Sequence, residues 1–174
     1  MHILPKSFFA AVLAACCGSA PAGQGDAHTH GAARLNLAVD GETVTLALES
    51  PLDSLLGFEH LPRGEKQKAA VRDMAAKLNR PEALFGLSAA AQCAPDGVEL
   101  SSPVLESAPR QAANGHLDLD GRYRFRCAHP QALREVEVRL FDAFPRLRRL
   151  DVQAATPRGQ SAARLTPAQR RIAW

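Results

Sequence analysis

The sequence predicts an α+β fold: a single domain with a mainly antiparallel sheet, one main helix and short helical turns packed on one face. Three observations lead to this class. Apolar and polar residues alternate over several short segments, one segment repeats its apolar residues with the helical period, and short turns join consecutive strands. Strands joined by short turns pair antiparallel, and the apolar face of such a sheet needs helices to cover it.

The first two strands are predicted as a hairpin centred on Asp40-Gly41. Apolar residues alternate with polar or small ones on both sides of this dipeptide, at Leu35, Leu37, Val39, Val44, Leu46 and Leu48. An Asp-Gly pair between two such runs is typical of a type I′ turn. Residues 51–57, with the sequence PLDSLLG, then predict a single helical turn.

The main helix is predicted from about Pro62 to Asn79. Its apolar residues fall at positions i, i+3, i+4 and i+7, namely Val71, Met74, Ala75 and Leu78. Arg80-Pro81 ends the helix, because proline lacks the backbone N–H and clashes with the preceding turn. One face of this helix should therefore cover the sheet.

The second half of the chain is predicted mainly as strand. Pro103 interrupts a candidate strand at 98–106, which is therefore expected at a sheet edge. A longer strand at about 117–127 places Cys127 on its inward face by alternation. Further elements are a strand at Val136, Val138 and Leu140, a helical turn at 142–147, a strand at Leu150, Val152 and Ala154, and a strand at 160–165.

The N-terminus has the pattern of a secretory signal peptide. Lys6 precedes an apolar run at 7–15, which is too short to cross a bilayer, and Ala20-Pro21-Ala22 supplies a cleavage signal. Removal of residues 1–22 leaves one domain at 23–174, or 152 residues, which is long enough for a core of its own.

A second way of processing stays open. Residues 13–16, with the sequence LAAC, match the bacterial lipobox, in which case residues 1–15 are removed and Cys16 is acylated. The acyl chains would then anchor the protein to a membrane. Cleavage after Ala22 is favoured, because residues 17–22 fit the last part of a signal peptide.

The charge excludes nucleic-acid binding as the main function. The net charge of +3 falls to +2 when Lys6 is removed, so no strong overall field gathers phosphate groups. The charge is uneven, however, because from Arg122 onward there are twelve arginines and four acidic residues. This arginine-rich half is expected to be a solvated surface or, alternatively, a docking face for an acidic partner or anionic headgroups.

Two cysteines remain after the signal peptide, Cys93 and Cys127. In an oxidising compartment such a pair is expected to form a disulfide, which would stabilise the fold by roughly 3–4 kcal/mol in the chain-entropy model. The alternative is that Cys127 and His129, in the run Cys-Ala-His, bind zinc with a reduced thiolate.

Four histidines lie in short contexts that indicate a metal site. The runs HTHG, GFEHLP and CAHP contain His28, His30, His60 and His129. Zinc accepts neutral imidazole nitrogen and takes about four ligands. His28 and His30 are two residues apart in an extended segment, so they project to one side. We predict that these four histidines converge on one Zn²⁺, with Glu59 and His116 as further candidate donors.

The same motifs carry a family resemblance. The runs HTHGAARLNLAVDGETVTLALESPLDSLLGFEHLP, FRCAHPQALREVEVRLFDAFPRLRRLDVQ and GQSAARLTP resemble the zinc-regulated periplasmic proteins of Gram-negative bacteria, a family long filed as a domain of unknown function. The similarity covers nearly the whole mature chain. It implies a periplasmic zinc-binding protein, made under zinc limitation, that assists an ABC-type zinc importer and its solute-binding component. The resemblance implies no enzymatic activity.

One departure from the family pattern limits what the resemblance implies. Family members typically carry a long stretch rich in histidine and acidic residues before the Cys-Ala-His-Pro run. Here that region, SAPRQAANGHLDLDGRYRF, has His116 as its only histidine. A histidine tract collects many weakly held ions, and this region cannot do so. A single structured site is therefore expected rather than bulk capture of zinc.

Three other functions compete with zinc binding. Asp26-Ala27-His28 would chelate Cu(II) or Ni(II) if processing exposed Asp26, but no cleavage signal precedes that residue. A hydrolase is disfavoured, because the sequence has no G-x-S-x-G, no HExxH and no glycine-rich phosphate loop. A metal-free envelope module that docks through its arginine-rich half stays open.

Overall fold

Alternating side chains form the predicted hairpin in the computed structural model, which describes residues 30–107 and 117–174. Strand β1, Ala32–Asp40, pairs antiparallel with β2, Thr43–Pro51. Gly41 in the connecting turn has a φ of 56°, the left-handed conformation that glycine adopts without a steric penalty. The alternation leaves one face of the hairpin buried, while the other face is exposed in β1 and mostly half-buried in β2.

The remaining elements follow in chain order. The helices are α1 (Leu52–Leu56), α2 (Gly64–Leu78), α3 (Pro81–Leu84) and α4 (Leu140–Ala143). The strands are β3 (Phe85–Leu87), β4 (Cys93–Ser101), β5 (Asp118–Cys127), β6 (Glu135–Val138), β7 (Arg149–Thr156), β8 (Gly159–Leu165) and β9 (Arg171–Ala173). Short 3₁₀ helices lie at Ala89–Ala91, Pro103–Leu105 and Pro130–Ala132.

Six of these strands form the main sheet, in the order β4-β5-β2-β1-β7-β8. Its described strands pair antiparallel except at β1 and β7, which run parallel with Leu35 opposite Val152. β2 and β5 pair from Pro51 with Asp118 at one end to Thr43 with Arg126 at the other. The start of β1 therefore lies at the same end of the sheet as the start of β5.

The inner face of the main sheet is covered by α2 and by a second, three-stranded sheet in the order β3-β6-β9. Val71, Met74 and Leu78 are the buried residues of α2, as the helical spacing predicts. The ring of Phe85 in β3 meets that of Tyr123 in β5 edge to face, with centroids 5.0 Å apart. The two sheets and the helix thus share one hydrophobic core, and the α+β prediction is confirmed.

Most predicted elements occur with shifted ends. The main helix, predicted at 62–79, spans Gly64–Leu78. The strand predicted at 98–106 begins earlier, at Cys93, and ends at Ser101 on the sheet edge, because the chain turns into a 3₁₀ helix at Pro103. Leu140, predicted as the last residue of a strand, instead begins α4, so the helical turn predicted at 142–147 starts earlier.

The predicted disulfide between Cys93 and Cys127 is present, with an S–S distance of 2.01 Å. The two cysteines are register partners at the first position of β4 and the last position of β5. Cys127 is fully buried on the inward face, as its alternation predicts. The bond ties the sheet edge to its neighbour at the end opposite to the start of β1.

The N-terminal processing predictions, for residues 1–22, residues 1–15 and Cys16, lie outside the described residues. Within 30–107 and 117–174, no helix is both long enough and apolar enough to span a membrane.

Candidate metal centre

The backbone that follows His30 is anchored by a side chain from α1. The hydroxyl of Ser54 accepts a hydrogen bond from the backbone N–H of Gly31 at 3.1 Å and donates one to the carbonyl of Ala32, also at 3.1 Å. Ser54 is completely buried, so both bonds are shielded from water. The first residues of β1 are therefore fixed to α1.

Gly31 is held from a second side by the segment before β7. Its carbonyl oxygen accepts hydrogen bonds from the backbone N–H groups of Arg148, at 2.7 Å, and Arg149, at 3.0 Å. Its φ is 75°, and a Cβ at this position would lie 3.0 Å from the carbonyl oxygen of Arg146. Both features favour glycine, which explains the last residue of the HTHG run.

The imidazole of His30 lies beside the carboxylate of Asp53. His30 Nδ1 is 2.8 Å from Asp53 Oδ2. Asp53 lies in the first turn of α1, next to Ser54, so the helix that fixes the backbone also contacts the side chain. The His30 side chain is 72% exposed and that of Asp53 is 25% exposed, so a ligand can reach the imidazole from solvent.

His60 lies in the loop between α1 and α2 and is half-buried. Its Nδ1 is 2.8 Å from the carbonyl oxygen of Leu61, and its ring lies against that of Phe58, with centroids 5.2 Å apart. Gly57, which begins this loop, packs so closely on Arg146 that a Cβ there would lie 2.6 Å from the guanidinium group. Arg146 thus lies against both the loop that contains His60 and the segment that begins at Gly31.

His129 lies at the opposite end of the sheet. It follows Cys127 at the far end of β5, and its backbone N–H donates to the carbonyl of Ala91 at 3.0 Å. β5 has ten residues, which at ~3.3 Å per residue puts its two ends about 30 Å apart. One ion cannot contact both His30 and His129. The prediction that all four histidines bind one ion is therefore corrected, because His129 lies too far from His30.

The structure describes only one of the three other candidate donors. His28 and His116 lie outside the described residues, and Glu59 lies beside His60 in the loop between α1 and α2. Among residues 30–107 and 117–174, no three His, Cys, Asp or Glu side chains are arranged so that they could hold a metal ion. The described part of the chain therefore brings His30 and His60 to one end of the sheet without completing a site.

The disulfide removes the alternative ligand pair of Cys127 and His129. A bridged sulfur has no thiolate to donate, and thiolate is the form of cysteine that binds zinc. The bond instead fixes the turn that contains His129.

Acidic side chains increase the negative charge at the end of the sheet that holds His30. Asp120 in β5 is the register partner of Glu49 in β2, and Asp118 is two residues away on the same face. Partial burial raises the pKa of Asp120, and the neighbouring carboxylates of Glu49 and Asp118 raise it further. Such a cluster of carboxylates attracts cations to this end of the molecule.

The arginine-rich half is largely paired within the chain. Among the described residues, seven of its twelve arginines have an acidic side chain within 4 Å, namely Arg124, Arg126, Arg139, Arg149, Arg164, Arg170 and Arg171. One example is Asp151, whose pKa is lowered mainly by its hydrogen bond from Arg164. Internal pairing reduces the positive field that a docking face for an acidic partner would need.

Sequence reasoning missed two polar residues of this region, Asp53 and Ser54. Both lie in the PLDSLLG run, where the sequence predicted a helical turn and nothing more. Their partners, His30, Gly31 and Ala32, are 22 or 23 positions earlier in the chain. The one available signal was that both runs belong to the same family-specific stretch of sequence.

Comparison with known proteins identifies the family of this chain. A family model described as "ZrgA family zinc uptake protein" matches residues 27–174, from the residue before His28 to the C-terminus. No curated protein matches the chain. The family match covers far more than half of the sequence and confirms the resemblance drawn from the histidine motifs. The chain belongs to the ZrgA family of zinc uptake proteins.

Proposed function

We propose that this protein binds one zinc ion in the periplasm and supports zinc uptake by an ABC-type importer. Membership of the ZrgA family supports the link to zinc uptake. The observation that carries the proposal is the anchored His30-Gly31 segment, which lies at the same end of the sheet as His60. A rigid backbone lowers the entropic cost of ordering side chains around an ion.

In this proposal zinc is held by His30 and His60, together with further donors. The candidates for the remaining donors are His28, Glu59 and His116, as the sequence predicts. His129 is not part of the site. The carboxylates of Asp120 and its neighbours lie at the same end and favour the approach of a cation.

Zinc is cargo in this proposal, and the protein carries out no catalysis. A single site without a histidine tract is suited to holding one ion and passing it on, whereas storage would need many donors. The receiver would be the importer or its solute-binding component. The signal peptide predicted at residues 1–22 supports a periplasmic location.

Equilibrium dialysis of the purified protein against zinc at neutral pH tests the proposal. We expect about one zinc per chain for the wild type. The His30→Ala and His60→Ala variants should each weaken binding at least tenfold, which corresponds to about 1.4 kcal/mol. His129→Ala is the matched control, because it removes a family-motif histidine at the other end of the sheet, and it should bind as the wild type does.

Two results would contradict the proposal. A wild type that binds no stoichiometric zinc would favour the metal-free docking module. A His129→Ala variant that weakens binding as much as His30→Ala would place the site elsewhere.

A further inference from the structure

Both histidines at the candidate metal centre have the same ring nitrogen engaged by an oxygen atom. Nδ1 of His30 is 2.8 Å from a carboxylate oxygen of Asp53, and Nδ1 of His60 is 2.8 Å from the carbonyl oxygen of Leu61. A carbonyl oxygen and an ionised carboxylate oxygen only accept hydrogen bonds, so Nδ1 is the donor in each pair. A neutral imidazole carries one ring proton, and with that proton on Nδ1 the lone pair is on Nε2.

We propose that Asp53 is a positioning residue that holds His30 in the Nδ1–H tautomer and presents its Nε2 to zinc, while the Leu61 carbonyl does the same for His60. This inference rests on the proposed function. Histidines that bind metal donate their other ring N–H to a carboxylate or a carbonyl, which fixes the ring and makes the binding nitrogen more basic. The structure provides one acceptor of each kind, a carboxylate for His30 and a carbonyl for His60.

The placement of Asp53 is rigid enough for this role. Its neighbour Ser54 is completely buried and bonded to both Gly31 and Ala32, so the backbones on the two sides of the His30–Asp53 pair are fixed to each other. Leu52, on its other side, donates its backbone N–H to the carbonyl of Leu117 at 3.0 Å. Asp53 is therefore held by neighbours on both sides, at a fixed distance from the chain that carries His30.

The competing explanation is that Asp53 is an ordinary acidic residue in the first turn of a helix, where a negative charge is favourable whatever it contacts. That role would leave the tautomer of His30 independent of Asp53. The two explanations therefore differ in a spectroscopic property of the protein without metal.

The experiment is ¹⁵N NMR of the histidine rings in the metal-free protein, at a pH where imidazole is neutral, combined with zinc titration. We expect the Nδ1–H tautomer for His30 in the wild type and in Asp53→Asn, whose amide oxygen still accepts a hydrogen bond. Asp53→Ala should lose this tautomer preference and weaken zinc binding by about 10–100-fold, with a smaller loss for Asp53→Asn. Asp73→Ala is the control, because Asp73 pairs with Lys77 on the exposed side of α2 and should change neither readout.

A wild-type His30 with its proton on Nε2 would overturn the inference whatever the zinc result. So would an Asp53→Ala variant that keeps both the Nδ1–H tautomer and the wild-type affinity. Failure of the proposed function gives a different pattern: the tautomers behave as expected, but the wild type binds no zinc at all.

Discussion

Gly31 is constrained both by its backbone conformation and by its packing. Its φ of 75° is unfavourable for a residue with a side chain, and a Cβ at this position would lie only 3.0 Å from the carbonyl oxygen of Arg146. The position matters for function because His30 precedes it directly. A shift of Gly31 would change the position of the imidazole relative to Asp53.

We expect Gly31→Ala to destabilise the protein by more than the conformational cost of about 1–2 kcal/mol alone. The matched control is Gly64→Ala, because Gly64 has the same φ of 75° and a Cβ added there would have nothing within 4 Å. Urea unfolding of the two variants measures the difference. Equal losses of unfolding free energy would mean that the contact with Arg146 costs nothing.

Asp120 is a residue whose negative charge is unfavourable in the folded protein. Because its pKa is raised, the folded protein binds a proton at Asp120 more tightly than the unfolded chain does. The stabilisation from the protonated form is fully present below the ordinary aspartate pKa of about 3.9 and is lost as the pH rises through the raised value.

Asp120→Asn should therefore stabilise the protein at pH 7, by roughly 0.2–1 kcal/mol, the usual size of a cross-strand side-chain pair interaction. The gain should disappear at a pH below about 3.9, where the wild-type carboxyl is protonated in both states. Glu99→Gln is the control of opposite sign, because it removes an ion pair with Arg124 at 2.8 Å. Denaturation at the two pH values checks both variants, and a gain that persists in acid would contradict the electrostatic cause.

At the scale of residues, the sequence predicted which histidines to consider but not what holds them. Composition and motif context are enough to single out His30 and His60. The roles of Asp53 and Ser54 depend on contacts between segments more than 20 residues apart, and neither local period nor turn chemistry describes such contacts.

Among the elements, the edge strand β4 is joined to its neighbour β5 by a covalent bond. The Cys93–Cys127 disulfide closes a loop with a sequence separation of 34. An unfolded chain without the bond would therefore gain considerable conformational freedom.

Replacing both cysteines with alanine should lower the free energy of unfolding by about 3–4 kcal/mol in the chain-entropy model. Zinc stoichiometry should stay that of the wild type, because the bond lies at the far end of β5 from His30. Chemical denaturation and zinc dialysis of the double variant measure the two quantities. Loss of zinc by a variant that is still folded would revive Cys127 as a ligand.

Some elements were predicted better than others, because some are determined by residues close together in the sequence and others by contacts between distant segments. The hairpin of β1 and β2 and the helix α2 follow from local period and turn residues. The strands β3 and β9 have three residues each, too few to show a period. The parallel pairing of β1 with β7 joins segments more than 100 residues apart, and alternation does not reveal a partner.

Considered as a whole, the molecule has the proposed zinc site and the disulfide at opposite ends of one sheet. One end holds His30, His60 and an acidic cluster, and the other holds the disulfide and His129. The covalent bond can thus stabilise the fold without contacting the proposed site.

The location of the whole molecule depends on how its N-terminus is processed. We expect the mature protein to begin at Gly23, since Ala20-Pro21-Ala22 is the favoured cleavage signal. Mass spectrometry of the protein from its native host measures this directly. A mature chain that begins at an acylated Cys16 would contradict the expectation and would make the protein a membrane-anchored one.

The most direct test of the central claim is anomalous scattering at the zinc edge from crystals grown with one equivalent of zinc. We predict a single strong peak at the end of the sheet where β1 begins, in contact with Nε2 of both His30 and His60. A peak at His129, or zinc bound to neither His30 nor His60, would contradict the account.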